Sequence, residues 1–377
     1  MNPAHEHQRK GVALAATAPN LFTDFNTLPS RVETVLREFF QPQKLLAQEI
    51  GDPVTWGVEL LEDYVLGGGK RIRPTFAWAG YLAAGGGEED PTAVLKAISS
   101  LELIQACALI HDDIIDSSDS RRGNPTVHKI AEAKHNQQQW HKNATQFGHS
   151  IGILVGDLAM VWADDLFHGS GLSPAALARA LPAWRAMRTE VIGGQILDIN
   201  LEVSGSDDIS AAQQVNRYKT AAYTIERPLH IGAALAGADA DLITALRRYG
   251  TDIGIAFQLR DDLLGVFGDP QVTGKPAGDD LREGKRTVLV ATALQLAHTH
   301  YPSLVPLIGS QLGAVRTPTE IANLAAAIAA TGAVENIEKQ ITELRDSGLQ
   351  HLNDAHLPQD IQQVLERLAF SATARKT

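Results

Sequence analysis

The sequence predicts an all-α protein. Ala/Leu-rich stretches are interrupted by Gly, Pro and Asp/Asn clusters at intervals of about 15–30 residues, the usual punctuation of helices. Alternating Val/Ile/Thr patterns that would mark strands are scarce. At 377 residues the chain has ample length for a large buried core, as one domain or two. The net charge of −11 argues against a general nucleic-acid binder. A single cysteine, Cys107, excludes an internal disulfide and a cysteine zinc cluster, and its apolar helical setting reads as packing. No uninterrupted apolar run approaches about 18 residues, so no spanning helix is expected. The apolar patch Val12 to Thr17 is too short for a secretion signal, so a cytoplasmic location is the default.

Taken in order, residues 1–28 are polar or small and read as a mobile tail. Arg31 to Ile50 forms a first amphipathic helix, and Pro53 opens a second that Gly67-Gly68-Gly69 ends. Lys70-Arg71-Ile72-Arg73-Pro74 follows, with Pro74 in the first turn of a third helix. Three cations before a helix N-terminus form either an anion site reached through the glycines or a solubilising basic loop. Gly85-Gly86-Gly87 and Pro91 mark the next turn, and a long apolar helix then carries polar Gln105, seven residues before Asp112.

That helix ends in His111-Asp112-Asp113-Ile114-Ile115-Asp116, followed by Arg121-Arg122-Gly123. Asp112 and Asp116 share a face one turn apart, a spacing that destabilises an isolated helix by roughly 0.2–0.5 kcal/mol. Paired carboxylates suit hard divalent cations, and Mg²⁺ in particular takes one or two of them together with phosphate oxygens. Arg121 and Arg122 offer planar, permanently charged donors to the same phosphates.

The run from Ala131 to Thr145 is polar, and its scattered histidines (His128 just before it, then His135 and His141) lack metal-ligand spacing. Phe147 to Phe167 is another apolar helix, whose Asp164-Asp165 reads as surface, and Ser173-Pro174 opens the next. Paired Gly193-Gly194 within that helix imply close packing or ligand approach, since each costs about 1 kcal/mol against Ala. Asp198 beyond them faces a cavity or is buried and hydrogen-bonded. Asp207 starts a helix containing Lys219-Thr220, and the helix from Asp239 carries Phe257-Gln258-Leu259-Arg260-Asp261-Asp262. Lys275 and Lys285 lie in the glycine-rich cationic loop after it, so a second carboxylate pair is coupled to cations. Beyond residue 288 the pattern is plain amphipathic helix.

Together these five separated motifs, in this order over about residues 30–290, resemble the trans-isoprenyl diphosphate synthases. The wider pattern, including Gly274-Lys275-Pro276, is most similar to actinobacterial geranylgeranyl diphosphate synthases. The resemblance implies one all-α bundle over 29–377 around a deep central cavity, assembled as a homodimer. It implies a chain-elongating prenyltransferase that condenses isopentenyl diphosphate with dimethylallyl, geranyl or farnesyl diphosphate. The expected product is geranylgeranyl diphosphate (C20), with farnesyl or longer-chain products as the alternative. Class I terpene cyclases and non-catalytic synthase subunits fit less well, because the cation cluster at Lys70 and both aspartate motifs are present.

By the same resemblance Asp112, Asp116, Asp261 and Asp262 hold Mg²⁺, three ions per site, with Mn²⁺ able to substitute. Lys70, Arg73, Gln105 and Arg122 correspond to residues that hold isopentenyl diphosphate. Arg121, Lys219, Lys275 and Lys285 correspond to residues that hold the allylic diphosphate, and Thr220 and Gln258 face the cation. The second motif ends in Gly265 where many members have a third aspartate, and Asp269 or Asp279 are the candidates to assist there. Product length is read one turn below Asp112, at small Cys107 and Ala108, and deeper at Ile104 and Leu101. Members that stop at fifteen carbons commonly have bulky aromatics at the first two positions.

Overall fold

The computed structural model describes residues 24–121, 123–268 and 278–374. Most of the tail expected over 1–28 therefore lies outside the described residues; 24–27 form a turn into the first helix. That helix, α1 (Leu28–Ile50), starts three residues earlier than expected. Pro29, with its fixed φ, sits in its first turn. Helix α2 (Asp52–Leu66) packs beside it, and α3 (Ile72–Ala83) follows a left-handed corner at Arg71. Asp90 caps α4 (Pro91–Ile115) by accepting from Thr92 N, and Pro91 needs no amide partner there.

Helix α4 is the one described helix long and apolar enough to cross a membrane, yet 78% of its apolar window is buried inside the bundle. Its apolarity is spent on neighbouring helices, chiefly α6 (Ala144–His168), and it forms the wall on which the first aspartate motif stands. After α4 a two-residue antiparallel pair, Ser120–Arg121 with Asn124–Pro125, folds the chain back, an element the sequence did not announce. Then come α5 (Val127–Gln137), α6, and the long α7 (Pro174–Ser204), capped by Ser173 as expected.

The chain between Asp207 and Asp239 departs most from expectation. A short α8 (Ile209–Val215) passes into an eleven-residue π-helix, Asn216–Glu226, before α9 (Arg227–Ala236). A π-turn is wider than an α-turn and is rare outside functional sites. Room for it comes from its neighbours. A β-carbon on Gly194 of α7 would lie 2.2 Å from Lys219 N, and one on Gly254 of α10 (Ala240–Phe267) 2.7 Å from Ala221 Cα. Such separations are shorter than any real contact, so only glycine lets the π-helix backbone lie there. The paired glycines expected to mark close packing do so through Gly194.

The C-terminal part comprises α11 (Asp279–Glu283), α12 (Val288–His300), α13 (Val305–Gln311), α14 (Pro318–Ala330), α15 (Ala333–Asp354) and α16 (Gln359–Thr373). One core packs α1–α4 against α6 and α7, with Phe167 stacked on Trp184 at 4.3 Å. A second joins the C-terminal half of α10 to α12–α15, and a third joins α3, α9, α10 and α16. The ends of α4 and α10 and the π-helix are thus each backed by a packed core.

Candidate active site

Asp112 lies in the last turn of α4 and Asp116 is its C-terminal cap. Asp112 Oδ1 accepts from Lys219 Nζ at 3.0 Å and Oδ2 from Arg121 Nη2 at 3.1 Å, while Arg121 Nε reaches Asp113 Oδ1 at 2.6 Å. Lys219 also donates to Asp198 Oδ2 at 2.5 Å. Asp116 Oδ2 lies 3.0 Å from Lys285 Nζ, which also meets Glu283 at 2.9 Å. The β-pair carrying Arg121, helix α7, the π-helix and the loop after α11 therefore all converge on the first motif. Burial pushes the Asp112 carboxyl up, but Lys219, Lys285 and Arg121 together pull it down to about 2. Burial raises Asp116, with Asp112 adding to it and Lys285 opposing. Lys285 is held charged, well above the usual lysine range, because Asp280, Asp116, Glu283 and Asp112 outweigh its burial.

The second motif splits. Asp261 is exposed, whereas Asp262 is 2% exposed and turned inward. Gln258 Nε2 donates to Asp262 Oδ1 at 2.7 Å, and Asn216 Nδ2, at the head of the π-helix, approaches Oδ2 at 3.4 Å. Burial, with Asp280 and Asp261 adding to it, pushes this carboxyl up to about 8. Asp262, expected to hold metal, is here a buried acceptor for the Gln258 amide and faces the head of the π-helix. Arg260, beside Asp261, points away from the motif, gripping Glu338 of α15 at 2.5 and 2.6 Å and the Thr373 carbonyl at 3.0 Å. Asp279 pairs with Arg282 at 2.8 Å, and Asp269 lies outside the described residues.

Of the three cations expected at one anion site, Lys70 is exposed on the loop but Arg71 is not available. Arg71 is buried against Glu102 and the Val65 carbonyl. Arg73 is also buried. Its Nη2 donates to Thr224 Oγ1 at 2.9 Å, its guanidinium lies 4.0 Å from the Tyr223 ring centre, and its buried Nε has no protein partner. Arg73 and Lys219 are thus joined through one π-helix, although they lie far apart in sequence. Gln105 is half-buried on α4 and Thr220 half-buried on the π-helix. Arg122 and Lys275 lie outside the described residues.

Asp198 turns out to be paired with Lys219, which combines the two alternatives read from the sequence. Glu202, one turn further along α7, was missed. Burial, then Asp198 and Asp116, push its carboxyl up to about 7. The signal that could have found it is the i, i+4 repeat of carboxylates behind Gly193-Gly194. Asn216 and Glu283 were missed as well; neither has a sequence signature, because each acts on a residue distant in the chain. His128 is hydrogen-bonded to Thr126 Oγ1 at 3.1 Å, and His135 to the His141 carbonyl at 2.9 Å, so both are structural.

Leu101, Ile104 and Cys107 are buried in the α4 core, and Ala108 is half-buried on the Asp112 face. Cys107 Sγ lies 3.8 Å from His111 Nδ1, and burial, with Asp157 adding, pushes its thiol up to about 12. His111 in turn packs on Gly156 of α6, where a β-carbon would lie 2.2 Å from Nε2.

Among the described residues no three His, Cys, Asp or Glu side chains are gathered as a ready cage for a metal ion. The donor set nevertheless fits Mg²⁺. Asp112 is ionised and Asp261 is exposed, all candidate donors are hard carboxylate oxygens, and two carboxylates leave positions for phosphate oxygens.

Residues 54–323 match the model of the polyprenyl synthetase family. The chain is similar to the geranylgeranyl pyrophosphate synthase of Corynebacterium glutamicum, whose crystal structure is a complex with isoprenyl diphosphate and magnesium. Their identity is 54% and TM-score 0.92, over 94% of this chain and 100% of that one. The geranylfarnesyl diphosphate synthase of Aeropyrum pernix is 34% identical over 276 residues, 72% of this chain and 79% of that protein. The (2E,6E)-farnesyl diphosphate synthase of Mycobacterium tuberculosis is 35% identical over 222 residues, 59% of this chain and 56% of that protein. With the first carboxylate motif paired to Lys219 and Lys285 inside an all-α bundle, and residues 54–323 matched, the chain belongs to the polyprenyl synthetase family and is a trans-prenyltransferase.

Proposed function

We propose that this enzyme elongates an allylic diphosphate with isopentenyl diphosphate, in the presence of Mg²⁺, to geranylgeranyl diphosphate. The observation that carries the reading is the lodging of Lys219 and Lys285 among Asp112, Asp116 and Asp198. Carboxylates and cations interleaved at about 3 Å offer both a divalent cation and a polyanion their partners in one place.

In this reading Asp112, Asp116 and Asp261 hold Mg²⁺, which when bound neutralises charge developing on the diphosphate leaving group. Lys219, Lys285, Lys275 and Arg121 receive the allylic diphosphate, and Thr220 and Gln258 turn oxygens toward the allylic cation. Lys70, Arg73, Gln105 and Arg122 position isopentenyl diphosphate so that its double bond attacks that cation; loss of a proton completes the five-carbon extension. Apolar side chains of α4 keep water from the cation.

Residues 29–377 act as one catalytic unit, and two copies associate. Support for the homodimer comes from large apolar side chains left exposed on two adjoining elements, Ile153, Leu154 and Val161 of α6 with Ile192 and Ile196 of α7. The water-soluble diphosphate substrates support a cytoplasmic location. The C20 assignment is supported by small Cys107 and Ala108 in α4 and by the similarity to the Corynebacterium enzyme. The similar proteins carry names for products of different lengths, so the direct test is product analysis. Purified protein given isopentenyl and farnesyl diphosphates with Mg²⁺ should release a C20 product, and none in excess chelator. Full turnover in chelator refutes the metal role, and a failure to extend farnesyl diphosphate, or a C25 main product, refutes the assigned length.

A further inference from the structure

Position 265 lies one helical turn beyond Asp261 and on the same face of α10, yet it is glycine. A glycine inside a helix costs about 1 kcal/mol relative to alanine, so its presence needs a reason. The structure supplies one. A β-carbon on Gly265 would lie 1.9 Å from Asp280 Oδ2, 2.5 Å from its Cγ and 3.0 Å from Oδ1. The Asp280 carboxylate occupies the space in which a side chain at 265 would begin.

Asp280 reaches that space from α11. Left-handed glycines bound this one-turn helix, Gly278 at φ 68° and Gly284 at φ 83°, and Leu281, fully buried, anchors it. The placement is specific to Asp280, because its neighbour Asp279 is turned to Arg282. Among the acidic groups that act on Lys285, Asp280 comes first, ahead of Asp116 and Asp112. Among those that act on Asp262, it comes ahead of Asp261. The carboxylate therefore acts both on the second motif and on the lysine that pairs with the first.

We propose that Asp280 supplies, from a separate helix, the carboxylate that the second motif lacks at position 265, and that Asp261 and Asp280 together hold the divalent cation on that side. The inference rests on the reading of Asp112, Asp116 and Asp261 as the metal-holding carboxylates. Supplying the second carboxylate from α11 removes the i, i+4 repulsion that two aspartates on α10 would carry. It also couples the two positions: a side chain at 265 would push the Asp280 carboxylate from its place.

The test is direct metal binding by the full chain, read by electron paramagnetic resonance during Mn²⁺ titration with inorganic pyrophosphate present. Asp280→Asn should weaken one class of bound Mn²⁺ by about tenfold or more. Gly265→Ala, which displaces the carboxylate without removing it, should do the same. The exchange Gly265→Asp with Asp280→Ala should recover most of the lost affinity. Wild-type binding by both Asp280→Asn and Gly265→Ala, alongside weakened binding by Asp261→Asn, overturns the inference, as does an exchange variant no better than Asp280→Asn. Unchanged binding in both Asp112→Asn and Asp261→Asn overturns the underlying metal reading instead.

Discussion

Arg71 Nη1 donates to Glu102 Oε2 at 2.7 Å, joining the corner before α3 to the middle of α4 with both side chains about 5% exposed. Arg71 holds a left-handed conformation (φ 48°, ψ 43°), and its Nη2 also caps the Val65 carbonyl at 2.8 Å. One guanidinium thus ties the end of α2, the glycine loop and α4, three residues before Gln105. It sets the distance between Lys70 and Arg73 on one side and the aspartate helix on the other.

Breaking a buried ion pair from one side strands a charge and costs about 3–5 kcal/mol, whereas replacing both partners by apolar groups is often neutral. Arg71→Met should therefore lower the melting temperature sharply, and Arg71→Met with Glu102→Met should regain it. Both variants should still raise KM for isopentenyl diphosphate severalfold more than KM for the allylic substrate. Steady-state kinetics on the double variant decide the matter; equal changes in both constants leave the pair a purely structural role.

Gly194→Ala puts a β-carbon 2.2 Å from Lys219 N, with backbone rather than a flexible side chain in the way. The π-helix must then move and carry Lys219 away from Asp112 and Asp198. Turnover should fall by at least tenfold while the helical circular dichroism is kept. Gly193→Ala, whose β-carbon meets nothing within 4 Å, is the matched control and should retain activity.

Three carboxyls contribute most to the expected pH dependence of stability, and half-buried His230, lowered by burial to about 4, opposes the fall with rising pH between about pH 4 and 6.5. Asp262, pushed up to about 8, and Glu202, up to about 7, hold protons in the folded chain that the unfolded chain releases near its ordinary range. Their contribution is complete below about pH 4 and is lost as pH rises through 7 to 8. Asp112, lowered to about 2, contributes above its ordinary range, and that contribution is lost as pH falls through 2. The metal-free protein should therefore melt at lower temperature at about pH 8 than at about pH 5. Asp262→Asn should flatten that slope, as thermal denaturation in chelator will show; an unchanged slope removes Asp262 from the account.

Ala108 is half-buried on the face that ends in Asp112, with Ile104 and Leu101 buried below it. Ala108→Phe should raise the floor met by the growing chain and shorten the main product by about one isoprene unit, since an aromatic ring spans about one helical turn. Cys107→Phe should shorten it too but at a cost in stability, because that side chain backs onto His111 and α6. Chromatography of the products after dephosphorylation gives the answer, and an unchanged chain length in both variants places the tunnel elsewhere.

Much of the fold is local and was therefore legible in the sequence. Ser173 and Asp239 announce helix starts because capping is a contact between residues two or three apart, and Pro91 marks the first turn of α4 by its fixed φ. The pairing of Asp112 with Asp116 follows from helical spacing alone. The family resemblance added the chemistry of Lys219 and Lys285, but not their partners. What tertiary structure alone decided are the relations between distant residues. The π-helix has no pattern of its own and exists because glycines on α7 and α10 leave it space. Asp261 and Asp262 are adjacent in sequence, yet packing exposes one and buries the other. Asp280 lies fifteen positions from Gly265, and Arg71 thirty-one from Glu102. Residues three or four apart can be read from a helix, but a carboxylate delivered across two helices depends on how the cores pack, and no short stretch of sequence encodes that.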